Sequence, residues 1–213
     1  LRMVNTNHIP VMIVSGYLGS GKTTLINRLL HQSKGVRFAL IVNELGEIGL
    51  DGHLLQGLND FVKMDNGCLC CVLNDELVNT IAKLTARDDY DAVIIETTGI
   101  ADPLPVAWTF LRPQFDGLFR LGGIITVVDA HHYETMLNQS TETKYQIERA
   151  DFIFLAKLDL SPQNRKVEIC DQIQKINSHA RFISPEDEDW LDLMIEVSDV
   201  GTRQVVPDEM THH

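Results

Sequence analysis

The 213-residue chain has no run of about 20 apolar residues, so no segment of it is expected to cross a bilayer as a helix. Its N-terminus, Leu1-Arg2-Met3-Val4-Asn5-Thr6-Asn7, lacks the pattern of a signal peptide. Basic residues are scarce: 18 Lys and Arg stand against 30 Asp and Glu, for a formal net charge of −12. That balance argues against a nucleic-acid or membrane partner and is compatible with cationic cargo. There are only four cysteines, and three of them, Cys68, Cys70 and Cys71, fall within four positions. Such clustering is not a disulfide framework. It points to a reducing compartment, the cytoplasm, and to metal or redox chemistry. No internal repeat and no long low-complexity tract interrupts the chain, and its length suits one sizeable domain with a buried core.

Gly16-Tyr17-Leu18-Gly19-Ser20-Gly21-Lys22-Thr23-Thr24 satisfies G-x-x-x-x-G-K-S/T, the Walker A phosphate-binding loop. Gly16, Gly19 and Gly21 let the backbone fold tightly, so that successive N–H groups point at a β-phosphate. Lys22 is placed to reach the β- and γ-phosphates, and the Thr23 hydroxyl to ligate Mg2+. Ser20 and Thr24 complete the candidate nucleotide contacts. A short apolar run, Val11-Met12-Ile13-Val14, precedes the loop, and an apolar helical pattern opens at Thr24. A plain glycine turn does not explain Lys22-Thr23 directly after Gly21.

Elsewhere, apolar runs alternate with helical patterns. Strands are predicted over Pro10–Ser15, Arg37–Val42, Asp60–Met64, Ala92–Glu96, Gly123–Asp129, Phe152–Ala156 and Arg181–Ser184. Helices are predicted over Lys22–Gln32, Asp75–Ala86, His131–Asn138, Thr143–Arg149, Gln163–Asn177 and Glu188–Met194. The expected fold is α/β of the P-loop NTPase type, a mostly parallel central sheet with helices on both faces. It should occupy residues 1–200. Residues 201–213 read as a polar tail or the start of a linker. His212-His213 either begins a histidine-rich segment or is the stub of a purification tag.

Two strand ends speak to the nucleotide. Leu155-Ala156-Lys157-Leu158-Asp159 resembles the N-K-x-D element that reads guanine. Asp159 is placed to accept hydrogen bonds from guanine N1 and the 2-amino group, a donor pair adenine lacks, and Lys157 to lie along the base. Ala156 stands where Asn is usual, which removes a tie between this segment and the phosphate loop. Glu96-Thr97-Thr98-Gly99 ends the strand Asp91–Ile95. Glu96 can hold Mg2+ through water or orient an attacking water, and the Gly99 N–H can meet the γ-phosphate; the alternative is a polar strand terminus.

Gly67-Cys68-Leu69-Cys70-Cys71 suits soft or borderline cations such as Zn2+, Co2+ and Cu(I). C-x-C spacing can put two sulfurs on one ion, with Cys71 a third candidate. A site left incomplete by this peptide needs an outside ligand, which suits exchangeable metal. Buried inert thiols or a redox pair, Cys70–Cys71, are the competing readings.

Together with Val42-Asn43-Glu44-Leu45-Gly46-Glu47-Ile48-Gly49-Leu50-Asp51, Ile100-Ala101-Asp102-Pro103 and Val127-Val128-Asp129-Ala130, these motifs resemble the CobW-type metallochaperone GTPases, relatives of the UreG and HypB nickel chaperones. The resemblance runs over roughly residues 9–200. It implies a GTPase, using GTP and Mg2+, that loads Zn2+ or Co2+ and delivers it to a client metalloprotein. It also implies a C-terminal domain that would begin about where this chain stops. Glu44, Glu47 and Asp51 fall in the family's first switch segment, where a carboxylate can serve Mg2+ or the cysteine site, or remain a solvated loop charge. Asp129 either supports the Mg2+ shell or caps the next helix. His131 and His132 follow it; His132 is a candidate metal ligand, with a satisfied imidazole at a helix start as the alternative. Bound γ-phosphate would order segments 44–51 and 97–103 and so complete the metal site. No arginine finger is evident, so slow intrinsic turnover is expected. Pairing of two copies through the switch regions is an expectation by analogy. Two other classes remain: a nucleotide-linked metal buffer or sensor without useful turnover, and a P-loop small-molecule kinase.

Overall fold

The computed structural model describes residues 8–33, 35–43, 60–64, 75–85, 90–161 and 165–184. Among the described residues, seven strands form one sheet: β1 (Ile9–Ser15), β2 (Phe38–Asn43), β3 (Asp60–Met64), β4 (Ala92–Glu96), β5 (Phe119–Asp129), β6 (Phe152–Ala156) and β7 (Arg181–Ile183). Their order is β3-β2-β4-β1-β5-β6-β7, and every pairing is parallel. The described α-helices are α1 (Lys22–Gln32), α2 (Asp75–Thr85), α3 (Leu104–Phe110), α4 (Tyr133–Gln139), α5 (Thr141–Glu148) and α6 (Arg165–Ile176). Among the described residues, no helix is long and apolar enough to cross a membrane.

Burial on both faces explains why the strands read as continuous apolar runs. Alternate residues of β1 supply two cores: Val11 and Ile13 pack with α2 and α3, whereas Met12 and Val14 pack with Leu25, Ile26 and Leu29 of α1. A third cluster gathers Val128, Ile153 and Leu155 under Tyr133, Ile147, Ile169 and Ile173 of α4, α5 and α6. The central position of β1 matters for function. It lies between β4 and β5, so the loop leaving its carboxyl end is flanked by the ends of both neighbours, where ligands bind in open α/β sheets.

The differences from the sequence-based expectation have local causes. Strand β5 starts at Phe119, four residues before the expected Gly123, because Gly122-Gly123 is a bulge within the strand rather than a break: Val11 pairs with Leu121 but Met12 with Gly123. Helix α3 was not among the expected helices, and Pro103 and Pro105 stand at its start, where a missing N–H costs nothing. Helix α4 starts at Tyr133, not His131, because a turn at Asp129 occupies the N–H groups of His131 and His132. Helix α5 starts two residues early, at Thr141, with Ser140 Oγ accepting from the Thr143 N–H at 3.2 Å as its N-cap. The expected helix Glu188–Met194 and the 201–213 tail lie outside the described residues.

Asp151, before β6, accepts the Ile124 N–H at 2.8 Å, and burial pushes its carboxyl above the usual range. The folded chain therefore holds that proton more tightly than the unfolded chain. Between the ordinary carboxylate pKa and the raised folded value, stability falls as pH rises. Asp151→Asn keeps an acceptor without the charge. We expect urea midpoints of the variant to lose this component of the acid-side slope, and an unchanged slope would contradict the assignment.

Candidate functional site

The phosphate loop, residues 16–24, is built by backbone conformations that glycine tolerates. Gly16 has φ +140°, and a Cβ there would strike the carbonyl oxygen of Val127 on β5. Gly21 has φ +107° and stands as N-cap of α1, so the helix begins at Lys22 with its N-terminal amides at the loop. Gly19 is exposed and Ser20 buried. Lys22 is buried, and its ammonium donates to the carbonyls of Gly16 (2.9 Å) and Tyr17 (3.2 Å). Burial lowers its pKa, and the charge of Glu96 partly offsets this. Thr24 faces outward on the first turn.

Glu96, at the end of β4, meets the loop: Thr23 Oγ1 donates to Glu96 Oε1 at 3.4 Å. Burial raises the pKa of Glu96, against the lowering effects of Lys22 and Thr23. A desolvated carboxylate beside a hydroxyl offers hard oxygen donors of the kind Mg2+ prefers. Nearby, Ser15 Oγ, Ser20 Oγ and Thr98 Oγ1 are buried without a protein partner, a set of polar atoms suited to a polar ligand. After β4 the chain turns through Thr97–Pro103. Gly99 packs so closely on the backbone of Leu18 that a Cβ would overlap its N and Cα. The candidate switch turn and the phosphate loop are thus in direct backbone contact.

On the other flank, Lys157 has a left-handed backbone (φ 59°) and its Nζ donates to Gly19 O and Asp129 Oδ2, both at 2.8 Å. The segment after β6 is therefore tied to the phosphate loop although Ala156 lacks the usual amide. Ala156 itself lies against Gly21, whose hypothetical Cβ would sit 3.4 Å from its own. Lys157 does more than the sequence suggested, since it links the candidate base-reading segment, β5 and the loop. Asp159 follows in a short 3-10 turn (Leu158–Leu160) and is exposed.

Asp129 is buried, and its carboxylate accepts from four donors: the N–H groups of His131 (2.9 Å) and His132 (3.2 Å), His132 Nδ1 (3.0 Å) and Lys157 Nζ. Burial opposes its ionisation, but the bonds from Lys157 and His132 win, and its pKa is lowered. His131 Nδ1 meets Leu160 O at 2.9 Å, and the two imidazoles stack edge to face. The structure thus brings together Gly16, Gly19, Ser20, Gly21, Lys22, Thr23, Glu96 and Gly99 on one side, with Asp129, His132 and Lys157 on the other. Glu44, Glu47, Asp51, Cys68, Cys70 and Cys71 lie outside the described residues. Among the described residues, no group of three or more His, Cys, Asp or Glu is gathered to hold a metal ion.

Sequence reasoning missed Gln146. It sits on α5, buried, and reaches the carbonyls of Gly99 and Ala101. A lone glutamine in an amphipathic helix carries no sequence signal; only the packing of α5 beside the turn reveals it. Tyr133 was missed for the same reason. Desolvation, with the charge of Glu134, pushes its phenol up to about 12, so it remains a neutral hydrogen-bonding group.

A glycine-lined loop between β1 and α1, a buried lysine inside it and an acidic strand end facing its threonine define a P-loop nucleotide-binding protein with a parallel sheet. More narrowly, the chain belongs to the CobW/HypB/UreG family, whose nucleotide-binding domain matches residues 10–184. It is 35% identical over 181 residues to the zinc chaperone YjiA of Escherichia coli, covering 82% of this chain and 56% of that protein. It is 34% identical over 185 residues to the zinc-regulated GTPase metalloprotein activator 1 of Schizosaccharomyces pombe, covering 82% and 45%. The chain thus spans about half the length of these curated relatives. The crystal structure of Zn(II)-bound YjiA GTPase from E. coli superposes with a TM-score of 0.64 at 30% identity, covering 84% of this chain and 58% of that one. HypB from Helicobacter pylori, in complex with nickel, shares the fold at a TM-score of 0.62 and 16% identity, covering 97% and 92%.

Proposed function

We propose that the protein is a GTP-hydrolysing metallochaperone that holds Zn2+ or Co2+ at Cys68, Cys70 and Cys71 and passes it to a client metalloprotein. The observation that carries the nucleotide half is the convergence of Lys22, Thr23 and Glu96 between the ends of β1 and β4. The loop amides and the N-terminus of α1 would take the phosphates. Lys22 would exchange the Gly16 and Tyr17 carbonyls for phosphate oxygens, which stabilises an ammonium that the protein alone only partly satisfies. Thr23 and Glu96 would hold Mg2+, which supplies neutralisation of the charge on the bridging phosphates when bound. Asp159 would accept from guanine, with Lys157 fixed beside it by Gly19 and Asp129. Gly99 would offer its N–H to the γ-phosphate, and Glu96 would orient the attacking water.

The metal half is supported by the C-x-C-C sequence and by relatives named as zinc chaperones. In this reading GTP raises metal affinity by ordering segments 44–51 and 97–103, hydrolysis lowers it, and by linkage the metal raises GTP affinity by the same factor. The test is Zn2+ titration in the presence of GTPγS, of GDP and of neither. We expect the tightest binding with GTPγS; equal affinity in all three states sinks coupled loading. In the same samples GTP should compete for the site and ATP should not, because Asp159 finds no donor pair on adenine. An ATP preference would favour a kinase, and binding without hydrolysis would favour a metal buffer.

A further inference from the structure

Gln146 connects three parts of the molecule. Its Nε2 donates to Gly99 O and to Ala101 O, each at 3.1 Å, so both carboxamide hydrogens are committed to the turn after β4. Its backbone carbonyl accepts from Thr126 Oγ1 of β5 at 2.8 Å, which pins α5 to the central sheet at the same residue. Just past the end of α5, its C-cap residue Arg149 pairs with Asp102 of that turn at 3.3 Å. The turn in question is the one whose Gly99 abuts the phosphate-loop backbone at Leu18.

The remaining polar atom of the carboxamide is the informative one. Gln146 Oε1 is buried and has no protein partner, and so are Tyr133 Oη and Thr143 Oγ1. All three residues line one cavity, with Tyr17, Thr126 and Asp129, of a size for about one water molecule. An oxygen that only accepts and two hydroxyls that both donate and accept make a set that a single water satisfies. A water held there would fix Oε1, and a planar carboxamide fixed at Oε1 keeps both N–H groups aimed at the turn.

We propose that Gln146 is a positioning residue for hydrolysis: locked by a buried water shared with Tyr133 and Thr143, it holds the Gly99–Ala101 turn against the phosphate loop. The inference rests on the GTPase reading of the site. The Gln146 carboxamide makes no hydrogen bond to the phosphate loop. It acts through the turn, so its loss should affect the chemical step more than nucleotide capture.

The experiment compares the 213-residue chain with its Gln146→Leu, Tyr133→Phe and Thr143→Val variants, each also combined with Gln146→Leu. Steady-state GTP hydrolysis gives kcat and KM, and amide hydrogen exchange is followed at Ala101 and at Ile94 of β4. For Gln146→Leu we expect kcat to fall roughly tenfold to a hundredfold, with KM within about twofold. Exchange at Ala101 should quicken by about tenfold while Ile94 is unchanged. Tyr133→Phe and Thr143→Val should shift kcat and Ala101 the same way by less, and add nothing to Gln146→Leu, because the groups act as one unit. A kcat within about twofold of the parent for Gln146→Leu overturns the proposal. Faster exchange at Ile94 as well, or full additivity of the hydroxyl deletions, overturns it too. If Gln146→Leu does not fold, Tyr133→Phe and Thr143→Val decide, and an unchanged kcat and unchanged Ala101 exchange in both count against the proposal. A parent chain with no GTP hydrolysis refutes the proposed function instead, and exchange at Ala101 still decides whether Gln146 holds the turn.

Discussion

Lys22→Ala should reduce GTP hydrolysis by roughly a hundredfold to a thousandfold, the range for deleting one preorganised donor from a developing anion. The nucleotide-free chain should keep its fold, because Glu96, whose pKa burial already raises, can take up a proton once the Lys22 charge is gone. The two halves of this expectation come from one geometry. The ammonium is buried, bonds only the Gly16 and Tyr17 carbonyls, and is held below its usual pKa by desolvation. A cation in that setting contributes little to the free protein, because the cost of removing it from water offsets the bonds it makes. With a triphosphate present, the same cation meets an anion in a site of low dielectric, where the interaction is strongest. Hydrolysis assays beside thermal or urea unfolding check both halves. Loss of activity through collapse of the fold would show as a large drop in unfolding midpoint, and would contradict the account.

Asn177→Ala should destabilise the chain by about 2–4 kcal/mol, as expected when several buried polar groups lose one partner. That corresponds to a fall in Tm of roughly 5–15 °C for a chain of this size. Asn177 follows α6 and is 5% exposed. Its Nδ2 donates to Ile147 O (2.8 Å), Glu148 O (3.2 Å) and Ala150 O (2.9 Å) at the end of α5. Its Oδ1 accepts from the N–H groups of His179 and Ala180, each at 3.1 Å, on the way into β7. One side chain therefore closes the C-terminal end of α5 and shapes the turn that returns the chain to the sheet. Alanine leaves these groups without it in a place water reaches poorly. Asp at 177 keeps the acceptor but puts a negative charge beside three carbonyls, so it should not rescue. Differential scanning calorimetry on the two variants is the check, and a Tm within about 2 °C of the parent for Asn177→Ala would refute it.

Short-range chemistry was legible in the sequence. The apolar runs of β3, β4 and β6 and the periodicity of α1 gave element bounds that the structure repeats. The phosphate loop was legible because its requirements are local: positive φ at fixed spacing, a lysine and a hydroxyl at the helix start. Membership of the CobW/HypB/UreG family follows from such local motifs kept in order along the chain. Errors arose where a residue type has two uses. Gly122-Gly123 served as a bulge within β5, and Pro103 and Pro105 stand at the start of a helix that the sequence reading did not include.

What the sequence by itself determined, then, was the parallel α/β plan and the phosphate loop, since each depends on side chains and backbone within a few residues of one another. Only the tertiary structure decided how the remote pieces meet. Lys157 reaches 138 positions back to Gly19, and Thr23 reaches 73 forward to Glu96, because β1 sits between β4 on one side and β5, with β6 beyond it, on the other. Gln146 faces the Gly99–Ala101 turn for the same reason. Hydrogen bonds of that span carry no periodic trace in the chain, because their geometry is set by strand order and helix packing.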